Sequence, residues 1–239
     1  MRTRPEEKKQ KRWTETFEHL PDEKRERILN CAKCAFARSG LNGANINNIA
    51  AEAGISIGSL YKYFRTKEDL FLALIEESHE LIGSTIDTVL ERCPGFFERV
   101  ECLLEQAVAT SRSDPDSVRL YIACTTEELS SLAERLSNRI ESVSADKYRA
   151  MVAEAKKNGE IRADLDNGWT AFFLDDLFLM TQYSVGSAYY AERLRLFVYG
   201  SADPGKGAEA VAAKTQKAQA ELVAHILAYI RQALAPAAH

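Results

Sequence analysis

Between residues 45 and 67 the chain crowds together side chains that can contact a polyanion. Ser56, Ser59 and Thr66 carry hydroxyls, Tyr61 and Tyr63 phenols, Lys62 and Lys67 ammonium groups, and Asn45 and Asn47 amides. Hydroxyl, phenol, amide and ammonium donors are the set that holds phosphate oxygens. Ile57 adds an apolar group that suits a thymine methyl. Gly58 and Ser59 are small enough to let a backbone approach phosphates and base edges closely.

Those groups need two short helices and a tight turn to point the same way. Ile46, Ile49, Ala50 and Ala53 recur at helical spacing, and Asn45 is a good N-cap before them. Gly54 ends that helix, because a residue without Cβ enters the left-handed region at little cost. Ser56 caps a second helix that runs to about Phe64. Leu60 and Phe64 pack inward, four residues apart. Gly58, Ser59, Lys62 and Tyr63 then face outward and Tyr61 straddles the boundary. A helix-turn-helix places its second helix in the major groove of DNA.

The run Gly-x-x-x-Ala-Asn followed by Ile-Ala-x-x-Ala-Gly-Ile-Ser-x-Gly-Ser-Leu-Tyr-x-Tyr-Phe-x-x-Lys-Glu-x-Leu, Gly40 to Leu70, resembles the DNA-binding domain of the TetR family of bacterial transcriptional repressors. Ile28, Leu29, Ala32 and Phe36 of the preceding helix fit as well. Asn45 stands where the family usually has Thr, and Ile57 where many members are polar. The resemblance implies an all-α fold. It would comprise an N-terminal arm over 1–21, a three-helix DNA-binding domain over 22–82 with its motif at 45–64, and a helical effector-binding and dimerisation domain over 83–239.

Composition agrees with a DNA-binding head on an acidic body. Residues 1–67 hold 14 Lys and Arg against 8 Asp and Glu, a balance of +6, whereas residues 68–239 hold 17 against 27, a balance of −10. The basic part attracts phosphates and the acidic part stays off the duplex. No stretch of about eighteen residues is apolar and free of charge, so no membrane partner is implied. The first residues lack the apolar segment of a secretory signal, which points to the cytoplasm. Five scattered cysteines suit reduced thiols there. Cys31 and Cys34 form C-x-x-C within a helix, and His19, His79, His225 and His239 have no ligand spacing, so neither a metal nor a cofactor is expected. Trp13, Phe17 and Leu20 leave two readings of the arm open. Either they pack as a short helix, or Lys8, Lys9, Lys11 and Arg12 track the DNA backbone.

The remainder reads as helices at about 67–92, 95–112, 115–129, 130–158, 169–198 and 208–234. The helix over 169–198 is apolar on two faces and so must be buried on two. One face (Phe172, Phe173, Met180, with Asp176 and Tyr183) joins Phe97, Cys102, Tyr121 and Cys124 as a candidate effector pocket. The other (Phe178, Val185, Tyr189) joins Leu222, Ile226 and Tyr229 of the last helix as a candidate four-helix dimer seam. Asp175 and Asp176 need partners, either an arginine (Arg193, Arg195, Arg231) or a ligand. No phosphate-binding loop, nucleotide fingerprint or catalytic triad spacing is present. The sequence therefore points to a homodimeric repressor that binds a palindromic duplex operator and is released by a small, largely apolar effector. A DNA-binding protein without effector is one alternative, and an enzyme with an appended DNA-binding head another.

Overall fold

The computed structural model describes residues 12–124, 130–201 and 216–236, with side chains at 124 and 130–141 outside the described set. The described residues form eleven helices and no strand, the all-α class expected. They run α1 Glu15–Glu18, α2 Asp22–Gly43, α3 Ile46–Glu52, α4 Ile57–Tyr63, α5 Lys67–Arg92, α6 Phe96–Ser113, α7 Pro115–Cys124, α8 Ser130–Lys157, α9 Asn167–Gly186, α10 Ala188–Tyr199 and α11 Gln216–Leu234. Two compact units divide the chain at Glu77 and Ser78.

In the first unit Ile28, Ala32 and Phe36 repeat every four residues along α2 and are fully buried. Ile49 and Ala50 of α3, Ala53 just after it, Leu60 of α4 and Leu70, Phe71 and Leu74 of α5 are buried in the same unit. Phe36 and Phe71 lie edge to face at 5.2 Å. Gly40 adopts φ +65°, which breaks the regular path of α2 and leaves one more turn to Gly43. Arg27 Nε donates to the Ala53 carbonyl at 3.0 Å, tying α2 to the end of α3.

The second unit is built around α9. Its inward residues Ala171, Leu174 and Phe178 pack with Val100, Leu103, Leu104 and Val108 of α6 and with Tyr148, Met151, Val152 and Ala155 of α8. Val223, Leu227, Ile230 and Leu234 of α11 close the same core. Gly159 at φ +71° ends α8, with Glu160 N–H donating to the Ala155 carbonyl at 2.9 Å. The Asp166 carboxylate caps α9 through Trp169 N–H at 2.9 Å.

The single helix expected over 169–198 is two helices. Ser187 is extended at φ −120°, ψ 127°, and the chain turns there from α9 into α10. The turn lies beside a close approach: a Cβ added to Gly186 would stand 3.1–3.4 Å from the Val118 side chain of α7. The break falls at Gly186 and Ser187. Residues 125–129 of the expected 115–129 helix, and 208–215 of the expected last helix, lie outside the described residues.

The contact gives a stability prediction. Gly186→Ala should destabilise the protein by about 1–3 kcal/mol through overpacking, measured by urea unfolding. Combining it with Val118→Ala should recover part of that loss relative to the two single effects. Additive losses would contradict the close packing.

Candidate functional site

α4 has seven residues, too few to hold itself in water, so its ends and inner face must be anchored. At its start Ser56 Oγ accepts the Ser59 N–H at 3.1 Å. The preceding Gly54 adopts φ +68°, the left-handed turn its lack of Cβ allows. Asn45 Oδ1 likewise accepts the Asn47 N–H at 2.9 Å and caps α3. Thr66 Oγ1 accepts the Asp69 N–H at 2.9 Å, capping α5.

The far end of α4 is held by a residue that sequence reasoning missed. Thr14 N–H donates to the Tyr63 carbonyl at 3.0 Å, and Thr14 Oγ1–H to the Lys62 carbonyl at 2.7 Å. Two carbonyls that the helix leaves without internal partners are thereby satisfied. Phe17, one turn on, is buried with its ring centroid 4.7 Å from Phe64 and 5.7 Å from Tyr63. Arg12 pairs with Glu76 at 3.2 Å. The described part of the arm thus packs on its own unit, and Arg12 is engaged there. Lys8, Lys9 and Lys11 lie outside the described residues.

These anchors leave Ile57, Gly58, Tyr61 and Lys62 exposed on one side of α4, with Ser56 exposed and Ser59 half-buried beside them. Tyr61 is 46% exposed. Asn45, Asn47 and Thr66 are also at the surface. A Cβ on Gly58 would find only Ser56 Oγ at 3.9 Å. The fold therefore does not need glycine there, and its small size matters only to something outside.

Two assignments change. Tyr63, expected to face outward, is 7% exposed, because it lies one turn from Leu60 and Phe17 covers it. Lys67, expected to reach outward to phosphate, is half-buried, and its Nζ donates to the Asn42 and Ala44 carbonyls, each at 3.3 Å. It complements the exposed C-terminal end of α2.

The second unit holds a half-open cavity of about 150 Å3. Ile86, Leu103, Ala107, Val118 and Phe178 form apolar wall, and His79, Gln106, Tyr121, Tyr148, Asp175 and Gln182 bring polar groups. Burial and the nearby Asp175 carboxylate push the Tyr148 phenol up, so it stays protonated and can donate. The His79 and Tyr121 rings stand 5.6 Å apart.

Of the expected pocket residues, Tyr121 lines this cavity. Phe172, Phe173, Met180 and Asp176 instead lie exposed on the outer face of α9, Phe172 at 56% and neighbouring Trp169 at 75%. Phe97 packs against the core under the Arg231 guanidinium, 4.5 Å from its ring centroid. Cys102 sits beside Cys93, and Tyr183 is buried with its ring 5.3 Å from Tyr190. The Cys124 side chain is outside the described set.

The expected seam is turned round too. Phe178 is buried against Tyr148 and lines the cavity, and Val185, Leu222 and Ile226 pack on the core. Tyr189 and Tyr229 are exposed. Phe172, Phe173 and Met180, expected inside, are thus exposed, and Phe178, expected on a partner-facing side, is buried. A helix apolar all round carries no sign of which side turns inward. Of the arginines expected beside Asp175 and Asp176, Arg195 pairs with Glu192 and Arg193 lies over Phe197. No described helix is long and apolar enough to cross a membrane, and no three described His, Cys, Asp or Glu side chains cluster as metal ligands.

Comparison with known proteins agrees with the head. The family described as "Bacterial regulatory proteins, tetR family" matches residues 28–74. The nucleoid occlusion factor SlmA of Aliivibrio fischeri (strain MJ11) is 28% identical over 123 residues, 52% of this chain and 61% of that protein. The HTH-type transcriptional regulator UidR of Escherichia coli (strain K12) is 26% identical over 155 residues, 64% of this chain and 76% of that protein. The match thus spans under two thirds of SlmA and about three quarters of UidR. The transcriptional regulator FadR of Bacillus subtilis, solved in complex with stearoyl-CoA, has the same fold, with TM-score 0.60 and 19% identity over 74% of this chain and 98% of that one. The segment matched by the family described as bacterial regulatory proteins of the tetR type, residues 28–74, contains α3 and α4, the two helices of the helix-turn-helix.

Proposed function

We propose that the protein is a ligand-responsive transcriptional regulator, a repressor in its free form, that binds a palindromic operator as a homodimer. The observation that carries this reading is the outward side of α4, where Ile57, Gly58, Tyr61 and Lys62 are exposed while Leu60 and Tyr63 anchor the helix from within. Such a face enters a major groove, with Lys62 and Tyr61 on phosphates and Ile57 and Gly58 against base edges. Asn45, Asn47, Ser56, Ser59 and Thr66 flank it.

The outer face of α9 (Trp169, Phe172, Phe173, Met180) is the candidate dimer surface, with Tyr229 of α11. Large exposed aromatics at helical spacing favour a partner helix over water. Two heads in one dimer read half-sites about 34–36 Å apart.

The cavity is the candidate effector site. Its apolar wall with several polar groups suits a largely apolar molecule oriented by one or two hydrogen bonds. The stearoyl-CoA bound by FadR supports that class. α5 carries Lys67 at its start and Ile82, Thr85 and Ile86 of the cavity wall further on. It is the lever by which a ligand would change head spacing. A differential affinity of about 1–3 kcal/mol changes occupancy roughly 5- to 150-fold. A second reading is a DNA-binding protein that acts without an effector; the similar SlmA is described as a nucleoid occlusion factor.

Three measurements test these parts. With a duplex selected from a random pool, Gly58→Leu should keep its helical signal and lose binding, since its side chain fits the free fold but fills the groove. Lys62→Ala should lower the slope of log affinity against log salt by about one. Normal binding by Gly58→Leu would remove α4 from the groove.

Phe172→Arg should sediment as a folded monomer where the wild type sediments as a dimer. Because Phe172 is exposed within one chain, the substitution tests association rather than folding. A monomeric wild type that binds its duplex tightly would contradict the seam.

Apolar compounds with one polar end should raise the melting temperature, a ligand at a hundred times its Kd adding about 2.7 kcal/mol. Ala107→Phe, which fills the cavity, should abolish the shift. A response confined to sugars, nucleotides or metals would overturn the effector class.

A further inference from the structure

The turn between α5 and α6 brings two thiols together. Cys93 follows the last residue of α5, and its N–H closes that helix on the Val89 carbonyl at 2.9 Å. Pro94 and Gly95 turn the chain, α6 begins at Phe96, and Cys102 lies nearly two turns along it. The two Sγ atoms stand 2.9 Å apart, and both side chains are half-buried. Arg99 Nε donates to the Cys93 carbonyl at 2.8 Å, which fixes the turn. The sulfurs of a disulfide are about 2.0 Å apart, so closing a bond needs an approach of only about 1 Å.

The two thiols are not equivalent. Burial, then the hydrogen bond to Cys93, with the Glu105 and Glu101 carboxylates adding to it, pushes the Cys102 thiol up to about 12. Cys102 therefore holds its proton more firmly than an ordinary thiol, and either sulfur can donate in the hydrogen bond between them. A thiolate is the attacking form in oxidation.

We propose that Cys93 and Cys102 are a modification site, a dithiol that hydroperoxides close to an intrachain disulfide joining the end of α5 to α6. Cys93 sulfur, losing its proton, attacks one peroxide oxygen and the O–O bond breaks. The leaving oxygen takes the proton as water or alcohol, and Cys93 becomes a sulfenic acid. Cys102 sulfur then attacks the Cys93 sulfur, the S–S bond forms, and the displaced hydroxyl leaves with the Cys102 proton as water. Two thiols lose two electrons in all, and one peroxide gains them. A thiol reductant reverses the bond by exchange. The staple fixes α5 against α6, two helices that line the cavity through Ile86 and Leu103. The inference does not rest on the regulatory reading, because its primary readout is chemical.

The test treats the full-length reduced protein with one equivalent of hydrogen peroxide, then alkylates with iodoacetamide and maps peptides by mass spectrometry. The expected product is a Cys93–Cys102 linked peptide, lighter by two hydrogens and restored by dithiothreitol. Cys93→Ser and Cys102→Ser should each lose it, while Cys31→Ser/Cys34→Ser keeps it. The oxidised chain should also unfold at higher urea than the reduced chain. Full alkylation of both residues after peroxide would overturn the proposal. So would oxidation that stops at sulfinic acid on Cys93, or a bridge found only between chains.

Discussion

A helix of seven residues cannot stand alone in water, and the first unit is arranged around that limit. α4 forms because its start is capped by Ser56, its end is held by Thr14, and its inner side is buried against Phe17 and the α2–α3 core. Burying Phe17 contributes about 1.5–3 kcal/mol, and its ring contacts add about 0.5–1.5 kcal/mol each. Only with those anchors in place can Ile57, Gly58, Tyr61 and Lys62 be spared from packing and left to face outward. Lys67 and Arg27 serve the same end, each donating to carbonyls at a helix terminus.

The second unit meets a different constraint. α9 is apolar on two faces, and only one of them is buried among the described residues. The inward side seals the core and the cavity, while Trp169 and Phe172 remain in water. Gly186 lets α9 approach α7 closely enough for Val118 to reach it, and the chain turns at Ser187. Tyr148 and Asp175, near enough for the carboxylate to push the phenol up, line the cavity together with Ile86, Leu103 and Phe178. A cavity so lined discriminates by shape and by a few hydrogen bonds.

The helix-turn-helix was legible because its signals are local. Gly54, Ser56 and Asn45 mark turns and caps, and the four-residue spacing of Ile28, Ala32 and Phe36 marks the inner face. Thr14 was not legible, because its bonds reach Lys62 and Tyr63 across the fold and nothing in its neighbourhood announces them. Tyr63 and Lys67 were assigned outward on side-chain chemistry, but a phenol and an ammonium can equally cover a core edge or a helix end. Which face of α9 turns inward was not legible, because its few polar residues form no clear stripe. The cavity residues were missed for a related reason. His79, Gln106 and Tyr148 lie on three helices, and their convergence is a property of packing alone.

The central claim is that α4 is held outward to read DNA. The most direct measurement is selection of duplexes from a random pool by the full-length protein, followed by sequencing of the bound fraction. A homodimer that reads DNA through α4 enriches an inverted repeat whose half-sites lie about one helical turn, or a multiple of it, apart. Retention of duplexes with no enriched sequence, or no retention at all at moderate salt, would contradict it.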